Sequence, residues 1–150
     1  MSDERYVKPT TWDTAFNAVV GWSTRMGMPM AGSRVLAVRG RASGEWRTTP
    51  VNPLVVAGER YLVAPRGETQ WVRNLRAAGG RGELRKGRSA EAFSAVEILD
   101  AEKPPILREY LRVWAWEVGR FFEGVDKASS EAKLLEIAPG FPVFRLAPAE

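Results

Sequence analysis

The sequence predicts an α+β fold: a small β-barrel of mostly antiparallel strands, with an N-terminal helix and a long helix packed outside it. Between residues 34 and 100, short apolar runs with a two-residue period are separated by tight, glycine-containing turns, which is typical of strands joined as hairpins. On either side of this region, apolar residues recur at three- and four-residue spacing, which is typical of helices. Strands grouped together with helices outside them indicate one sheet with one core.

The predicted order is helix, three strands, short helix, two strands, long helix and last strand. The second strand, "TTPVNPLVVAG", contains two prolines, so we expect it at an edge or a bend. Two consecutive prolines begin the long helix. The N–H groups of the first turn make no hydrogen bond within a helix, so proline, which has no N–H, is tolerated there. We expect a single domain over residues 1–150, with an N-terminal segment and helix at 1–30, barrel strands and ligand site at 34–100, the long helix at 104–124 and the last strand at 141–147.

The composition excludes much of the chemistry that enzymes use. The chain has no cysteine and no histidine, which removes disulfides, thiolates, Ser-His catalysis and imidazole ligands for metals. We therefore predict no metal site, and no side chain stands out as certainly catalytic. Carboxylates, hydroxyls, arginines and an organic cofactor remain as sources of chemistry.

Positive charge is concentrated in the middle of the chain. The net charge is +4, but residues 34–88 hold twelve Lys or Arg and four Glu, a balance of +8. Such a segment favours an anionic ligand, with a solvated basic surface as the alternative.

The stretch "GRASGEWRTTP", residues 40–50, predicts a hairpin turn with unusual chemistry. Its glycines allow the backbone to turn and a ligand to approach closely. Its two arginines are six positions apart and suit phosphate or carboxylate, while three hydroxyls add donors. An ordinary solvated turn is the alternative. The side chains concerned are Arg41, Ser43, Arg47, Thr48 and Thr49.

A second candidate segment is "APRGETQWVRNL", where a strand ends and a short helix begins. A helix N-terminus beside Gly67 and Arg66 is a natural site for an anion. Trp71 and Asn74 are three residues apart and share one helix face, so an indole and an amide could together hold a flat ring with polar edges. In the alternative interpretation Trp71 packs in the core and Asn74 caps a neighbouring segment.

Together these segments resemble the signature of the deazaflavin-dependent nitroreductase family, split β-barrel oxidoreductases that use coenzyme F420. The pattern G-R-x-S-G-x-x-R-x-x-P, followed by a hairpin, a strand ending near a glycine and W-x-x-N-L, spans residues 40–75. The terminal "PVFRL" is similar to the last strand of the family. The resemblance implies a split β-barrel that binds a 5-deazaflavin with a phosphate and an oligoglutamate tail.

The resemblance also implies roles for individual residues. Residues 41–43 and 47–49 match positions that hold the anionic parts of the cofactor. Residues 64–66 match positions that line its ring and linker, and residues 70–74 match the segment that closes over it. Relatives often carry lysine where this chain has Ala42, which puts affinity or tail-length preference in question. The implied cofactor-binding residues are Arg41, Ala42, Ser43, Arg47, Thr48, Thr49, Pro50, Ala64, Pro65, Arg66, Gly67, Gln70, Trp71 and Asn74.

The function implied is hydride transfer from reduced coenzyme F420 to an electron-poor acceptor: an activated alkene or enone, a quinone or a nitro compound. The cofactor carries the difficult chemistry in such reactions, so the missing histidine and cysteine are no obstacle. Solvent or Tyr110 would supply the proton. Trp116 lies about 200° around the long helix from Trp114 and off the apolar stripe, so we predict that Trp116 and Tyr110 line the acceptor pocket.

Three alternatives remain open at the level of the sequence. The chain could be a split barrel that binds flavin mononucleotide, or a cofactor carrier without turnover. A nucleic-acid-binding barrel is less well supported, because the arginines cluster around one signature without interleaved aromatic residues. We expect a cytoplasmic protein, monomeric or homodimeric, with a small-molecule partner and no nucleic acid. Peripheral membrane contact through the aromatic stripe of the first helix is a further expectation.

Overall fold

Seven strands form one antiparallel sheet, which confirms the predicted α+β split-barrel class. The computed structural model describes residue 5 and residues 33–149. The spatial order of the strands is β2-β1-β5-β6-β7-β4-β3, and each neighbouring pair is antiparallel. The strands are β1 (Arg34–Arg39), β2 (Trp46–Val51), β3 (Leu54–Val56), β4 (Glu59–Val63), β5 (Arg81–Lys86), β6 (Ser89–Glu97) and β7 (Val143–Pro148).

The sheet must curl, because the chain passes directly from one edge strand to the other. Val51 ends β2 at one edge, and Leu54 begins β3 at the opposite edge. In a flat sheet, six strand spacings of about 4.8 Å would place these edges roughly 29 Å apart. Three Cα–Cα steps of about 3.8 Å reach at most about 11 Å, so the two edges are drawn together into a barrel.

The sequence predicted one bent strand where the structure has two. The two-residue connection Asn52-Pro53 interrupts the ladder and sends β2 and β3 to opposite sheet edges. Proline has no N–H to donate to a β-ladder hydrogen bond, so the break between β2 and β3 falls beside a proline, where the sequence predicted an edge or a bend. The period-two pattern of the sequence does not reveal which neighbour each half pairs with.

Within residues 33–149, three α-helices accompany the sheet: α1 (Gln70–Ala77), α2 (Pro104–Val118) and α3 (Glu131–Ile137). The helix α2 ends six residues before the predicted position 124. A 3-10 turn at Gly119–Phe121 replaces its last part, with the backbone N–H of Phe122 donating to the carbonyl of Gly119 at 2.9 Å. Glycine weakens an α-helix, which explains the change of helix type at residue 119.

Two apolar clusters stabilise the fold. One fills the barrel and includes Leu36, Val72 and Phe144; the other lies between α2 and the sheet and includes Leu107 and Trp114. The predicted apolar stripe of α2 is buried as expected, while Trp116 is 70% exposed. The helix α2 thereby packs against β3 and β4.

Several predictions fall outside this description. The N-terminal helix, its aromatic stripe and the membrane contact inferred from it all lie within residues 6–32, which are not among the described residues. Within residues 33–149, none of the helices has the length and apolar character needed to cross a membrane.

Candidate cofactor site

A cavity of about 1000 Å³ opens between the β1–β2 hairpin, the start of α1 and the end of α2. Such a volume lies at the upper end of the range of small-molecule sites. Twelve of the fourteen predicted cofactor-binding residues line it, as do both predicted acceptor-pocket residues, Tyr110 and Trp116. The twelve are Arg41, Ala42, Ser43, Arg47, Thr48, Thr49, Pro50, Pro65, Arg66, Gln70, Trp71 and Asn74.

The hairpin turn forms one wall of the cavity and is tightly hydrogen-bonded. The backbone N–H of Gly40 donates to the carbonyl of Glu45, and that of Gly44 to the carbonyl of Gly40, both at 2.8 Å. Gly44 has φ +76°, which only glycine adopts without strain. The hydroxyl of Ser43 accepts from the backbone N–H of Glu45 at 3.1 Å, and its own hydrogen remains to be donated.

A buried amide connects this turn to α1. The Oδ1 atom of Asn74 accepts from the backbone N–H of Arg41 at 3.1 Å and from the Arg41 guanidinium at 2.7 Å. Asn74 is 5% exposed, so its side chain is held in one orientation. The alternative interpretation of Asn74 as a cap is therefore realised: its amide orders the hairpin, and the cavity wall with it.

The cavity is rich in positive charge. Among the described lining residues, four are arginines (Arg41, Arg47, Arg66 and Arg120) and one, Glu117, carries a carboxylate. Within the described part of the chain, the Arg47 guanidinium has no hydrogen bond or ion pair. An exposed guanidinium beside the hydroxyls of β2 suits a phosphate or carboxylate.

The start of α1 adds an unsatisfied donor. Thr69 precedes the first helical residue, yet its hydroxyl makes no capping hydrogen bond. Thr69 lines the cavity, and its buried Oγ1 atom has no partner among the described residues. Because a buried hydroxyl without a partner is costly, a polar ligand at the helix N-terminus would satisfy this atom.

Aromatic side chains form the remaining walls. The ring of Trp71 lies 5.9 Å from that of Phe144 in the barrel core, so the indole both packs inward and faces the cavity. Trp116 projects from α2 with its ring 5.8 Å from that of Trp114. The guanidinium of Arg66 lies 4.7 Å from the ring centre of Phe121, at the cavity rim. A flat ring system can stack against such walls.

Two predicted cofactor-binding residues do not line the cavity. Ala64 is fully buried in the barrel core, where its backbone N–H donates to the carbonyl of Pro142 at 2.9 Å. Gly67 has φ +86°, and a Cβ there would lie 2.0 Å from the carbonyl oxygen of Arg5. The requirement for glycine at position 67 therefore comes from the close approach of Arg5.

A polar group on the α2 side of the cavity was not predicted from the sequence. Glu117 lines the cavity from α2, and the amide Nδ2 of Asn52, in the β2–β3 connection, donates to its carboxylate. The amide of Asn52 also lies close to the hydroxyl of the buried Tyr110. One signal was present in the sequence: Glu117 follows Tyr110 by seven residues and so shares its helix face. No signal linked Asn52 to either residue.

Comparison with known families gives one match. The model of the F420H(2)-dependent quinone reductase family matches residues 12–126 of this chain. That range includes the hairpin, the start of α1 and all of α2. No curated protein sequence matches the chain.

Solved structures share the fold at low identity. A structure described as an F420-H2 dependent reductase, FDR-A, is 16% identical, with a TM-score of 0.52 over 77% of this chain and 94% of its own. A structure described as a domain-swapped dimer is 15% identical, with a TM-score of 0.54 over 87% and 92%. A conserved hypothetical protein from Mycobacterium tuberculosis, Rv2991, is 16% identical, with a TM-score of 0.50 over 100% and 86%. Identity at this level is evidence for the fold alone.

Proposed function

Because the chain belongs to the F420H(2)-dependent quinone reductase family, we propose that it transfers a hydride from reduced coenzyme F420 to an electron-poor acceptor in the cavity. When bound, the deazaflavin supplies the two-electron chemistry. The protein binds the anionic parts of the cofactor, orients its ring and provides a wall for the acceptor. Quinones, enones and nitro compounds are the acceptor classes that fit this reaction.

One observation carries the proposal: the cavity has chemically different walls. The hairpin wall presents Arg41, Arg47 and the hydroxyls of β2, which suit a phosphate and carboxylates. The opposite wall presents Trp116 and Tyr110, which suit a flat apolar molecule. A ligand that is anionic at one end and planar at the other fits this arrangement.

The residues present also fit the cofactor at the start of α1. The unsatisfied hydroxyl of Thr69 and the N-terminal N–H groups of α1 point to an acceptor-rich ligand there. Trp71, which follows in the first turn, is half-buried and leaves part of its ring facing the cavity. We propose that this segment holds the junction between the anionic linker and the ring.

A binding titration tests the proposal most directly. The purified protein is titrated with oxidised coenzyme F420 and, separately, with flavin mononucleotide, while intrinsic tryptophan fluorescence is followed. We expect saturable quenching by coenzyme F420 and much weaker binding of flavin mononucleotide. Tighter binding of flavin mononucleotide would contradict the choice of cofactor.

Turnover is then measured with a quinone, an enone and a nitroaromatic acceptor. We expect oxidation of reduced coenzyme F420 with at least one of them, and none of NADPH, because the chain has no G-x-G-x-x-G dinucleotide fingerprint. Binding without turnover of any acceptor would indicate a cofactor carrier. Size-exclusion chromatography of the same preparation distinguishes a monomer from a homodimer.

A further inference from the structure

The side chains of three residues form a polar cluster at the acceptor wall, away from the arginines of the hairpin. The hydroxyl of Ser33 donates to Oδ1 of Asn52 at 3.1 Å. This contact leaves the Nδ2 group of Asn52 to donate to Oε2 of Glu117. The order of donors and acceptors therefore fixes the amide orientation and holds the carboxyl of Glu117 at one place on the cavity wall.

The side chain of Glu117 is half-buried at the cavity wall. Burial raises the pKa of this carboxyl above its ordinary value, and the hydrogen bond from Asn52 opposes the shift without cancelling it. The other titratable or charged side chains lining the cavity are Tyr110, Arg41, Arg47, Arg66 and Arg120. Glu117 is the only carboxyl among the described lining residues.

Tyr110 is a poor proton donor by comparison. It is fully buried, and burial raises the pKa of its hydroxyl well above the ordinary value. Releasing a proton from this hydroxyl at neutral pH would leave a buried phenolate, which is costly. Glu117 is half-buried, so water can reach its carboxyl and return a proton after each turnover.

We propose that Glu117 is the proton donor for acceptor reduction and that Asn52 positions its carboxyl; this inference rests on the proposed function. Two electrons and one hydrogen enter the acceptor as the hydride that reduced coenzyme F420 gives up. The O–H bond of the Glu117 carboxyl breaks, and its proton forms a new bond to an oxygen or carbon of the reduced acceptor. Glu117 is left as a carboxylate and regains a proton from solvent, and the cofactor, having given up a hydride, would release one proton to solvent. Charge and atoms therefore balance.

The variant Glu117→Gln tests this role with little change of shape. Glutamine keeps an oxygen that can accept from Asn52, but it cannot release a proton. We expect kcat to fall roughly 10²- to 10⁴-fold, the usual contribution of a general acid. The fluorescence-measured Kd for coenzyme F420 should stay within a factor of two to three, because the hydrogen-bond partner of Glu117 is Asn52 and not an arginine of the hairpin. Glu109→Gln on α2, outside the cavity, is the matched control and should retain parental kcat.

A second measurement needs no turnover. The carboxyl groups are titrated with pH by NMR in protein labelled with ¹³C at glutamate carboxyls. The resonance missing from Glu117→Gln identifies Glu117, and the pH midpoint of its titration should lie above the midpoints of exposed glutamates. In Asn52→Ala that midpoint should rise further, because a hydrogen bond that stabilises the carboxylate is lost. A purely structural role for Asn52 would not move it.

The outcomes separate this inference from the proposed function. If the parent protein reduces an acceptor and Glu117→Gln does so at the same rate, Glu117 is not the proton donor, although the function stands. An ordinary midpoint for Glu117 would also overturn the inference. If the parent protein neither binds nor oxidises coenzyme F420, both proposals fail together. Should Glu117→Gln be poorly folded, Glu117→Asp retains an acid and should keep more activity than Glu117→Ala.

Discussion

Asn74 on α1 accepts two hydrogen bonds from Arg41 in the β1–β2 turn, at 3.1 Å from the backbone and 2.7 Å from the guanidinium. The two residues are 33 positions apart in the chain. One buried amide oxygen therefore orders the hairpin wall of the cavity against the helix that forms its neighbouring wall. Asn74 therefore has the structural role that the sequence left as the alternative to ligand contact.

Replacing Asn74 should loosen the hairpin. In Asn74→Ala the guanidinium and backbone N–H of Arg41 lose their acceptor, so we expect the free energy of unfolding to fall by about 1–2 kcal/mol in urea denaturation. Asn74→Asp keeps an acceptor at the same place and should lose less. Equal losses in the two variants would show that this contact does not stabilise the turn.

Arg47 should contribute to cofactor affinity more than to stability. It is exposed on an edge strand and has no partner in the described part of the chain. In Arg47→Ala we expect the Kd for coenzyme F420 to rise roughly 10- to 150-fold, equal to about 1.5–3 kcal/mol for a charge-assisted contact. Arg88→Ala, in the exposed β5–β6 turn, removes the same charge outside the cavity and should leave Kd unchanged. An unaltered Kd in Arg47→Ala would exclude the hairpin as the anion site.

Two adjacent glycines after α1 should respond very differently to alanine. Gly79 (φ +65°) has open space around its missing Cβ, so Gly79→Ala should cost about 1 kcal/mol for the left-handed backbone alone. At Gly80 (φ +85°) a Cβ would lie 2.1 Å from the carbonyl oxygen of Ala95. Gly80→Ala should therefore cost roughly 3 kcal/mol or more or prevent folding. Thermal denaturation compares the two, and similar losses would contradict the predicted clash.

The pH dependence of stability should reveal Glu117. Because the pKa of its carboxyl is raised on folding, the folded state binds more protons, and the free energy of unfolding falls as pH rises from the ordinary value of 4.5 through the raised one. In Glu117→Gln this loss is absent. The Tm of the variant should therefore rise relative to the Tm of the parent protein as pH increases from 4 to 8.

Glu109 provides a control of opposite sign. A hydrogen bond from Arg112 lowers the pKa of its carboxyl, so its contribution to stability is present above the ordinary pKa and lost as pH falls through the lowered one. Glu109→Gln should therefore lose Tm relative to the parent as pH rises. Parallel Tm profiles for the two variants would contradict the assignment for Glu117.

Trp116 should influence the choice of acceptor. It is 70% exposed and lines the cavity beside Trp114. In Trp116→Ala we expect KM for flat acceptors to change about 2- to 12-fold, in keeping with roughly 0.5–1.5 kcal/mol for an aromatic contact, with the Kd for coenzyme F420 unchanged. Val113→Ala, on α2 but outside the cavity lining, should have no such effect. Identical KM values for several unrelated acceptors would show that Trp116 has no part in acceptor binding.

Much of the fold could be predicted because it depends on local chemistry. The turn at Gly44, the closing glycines of α1 and the proline start of α2 all stand where the sequence placed them. The division of "TTPVNPLVVAG" into β2 and β3 could not be predicted, because each half alone reads as an ordinary strand. Their separation depends on which strands they pair with, β1 for β2 and β4 for β3.

By itself, the sequence determined the basic hairpin, the missing histidine and cysteine and the two tryptophans near the cavity, since these follow from residue type and short-range spacing. Tertiary structure alone decided that Asn52 meets Glu117, 65 positions away. Their meeting results from the curling of the sheet, which brings the β2–β3 connection against α2. A contact of this kind is fixed by barrel closure and helix packing, and no periodicity in the chain encodes it.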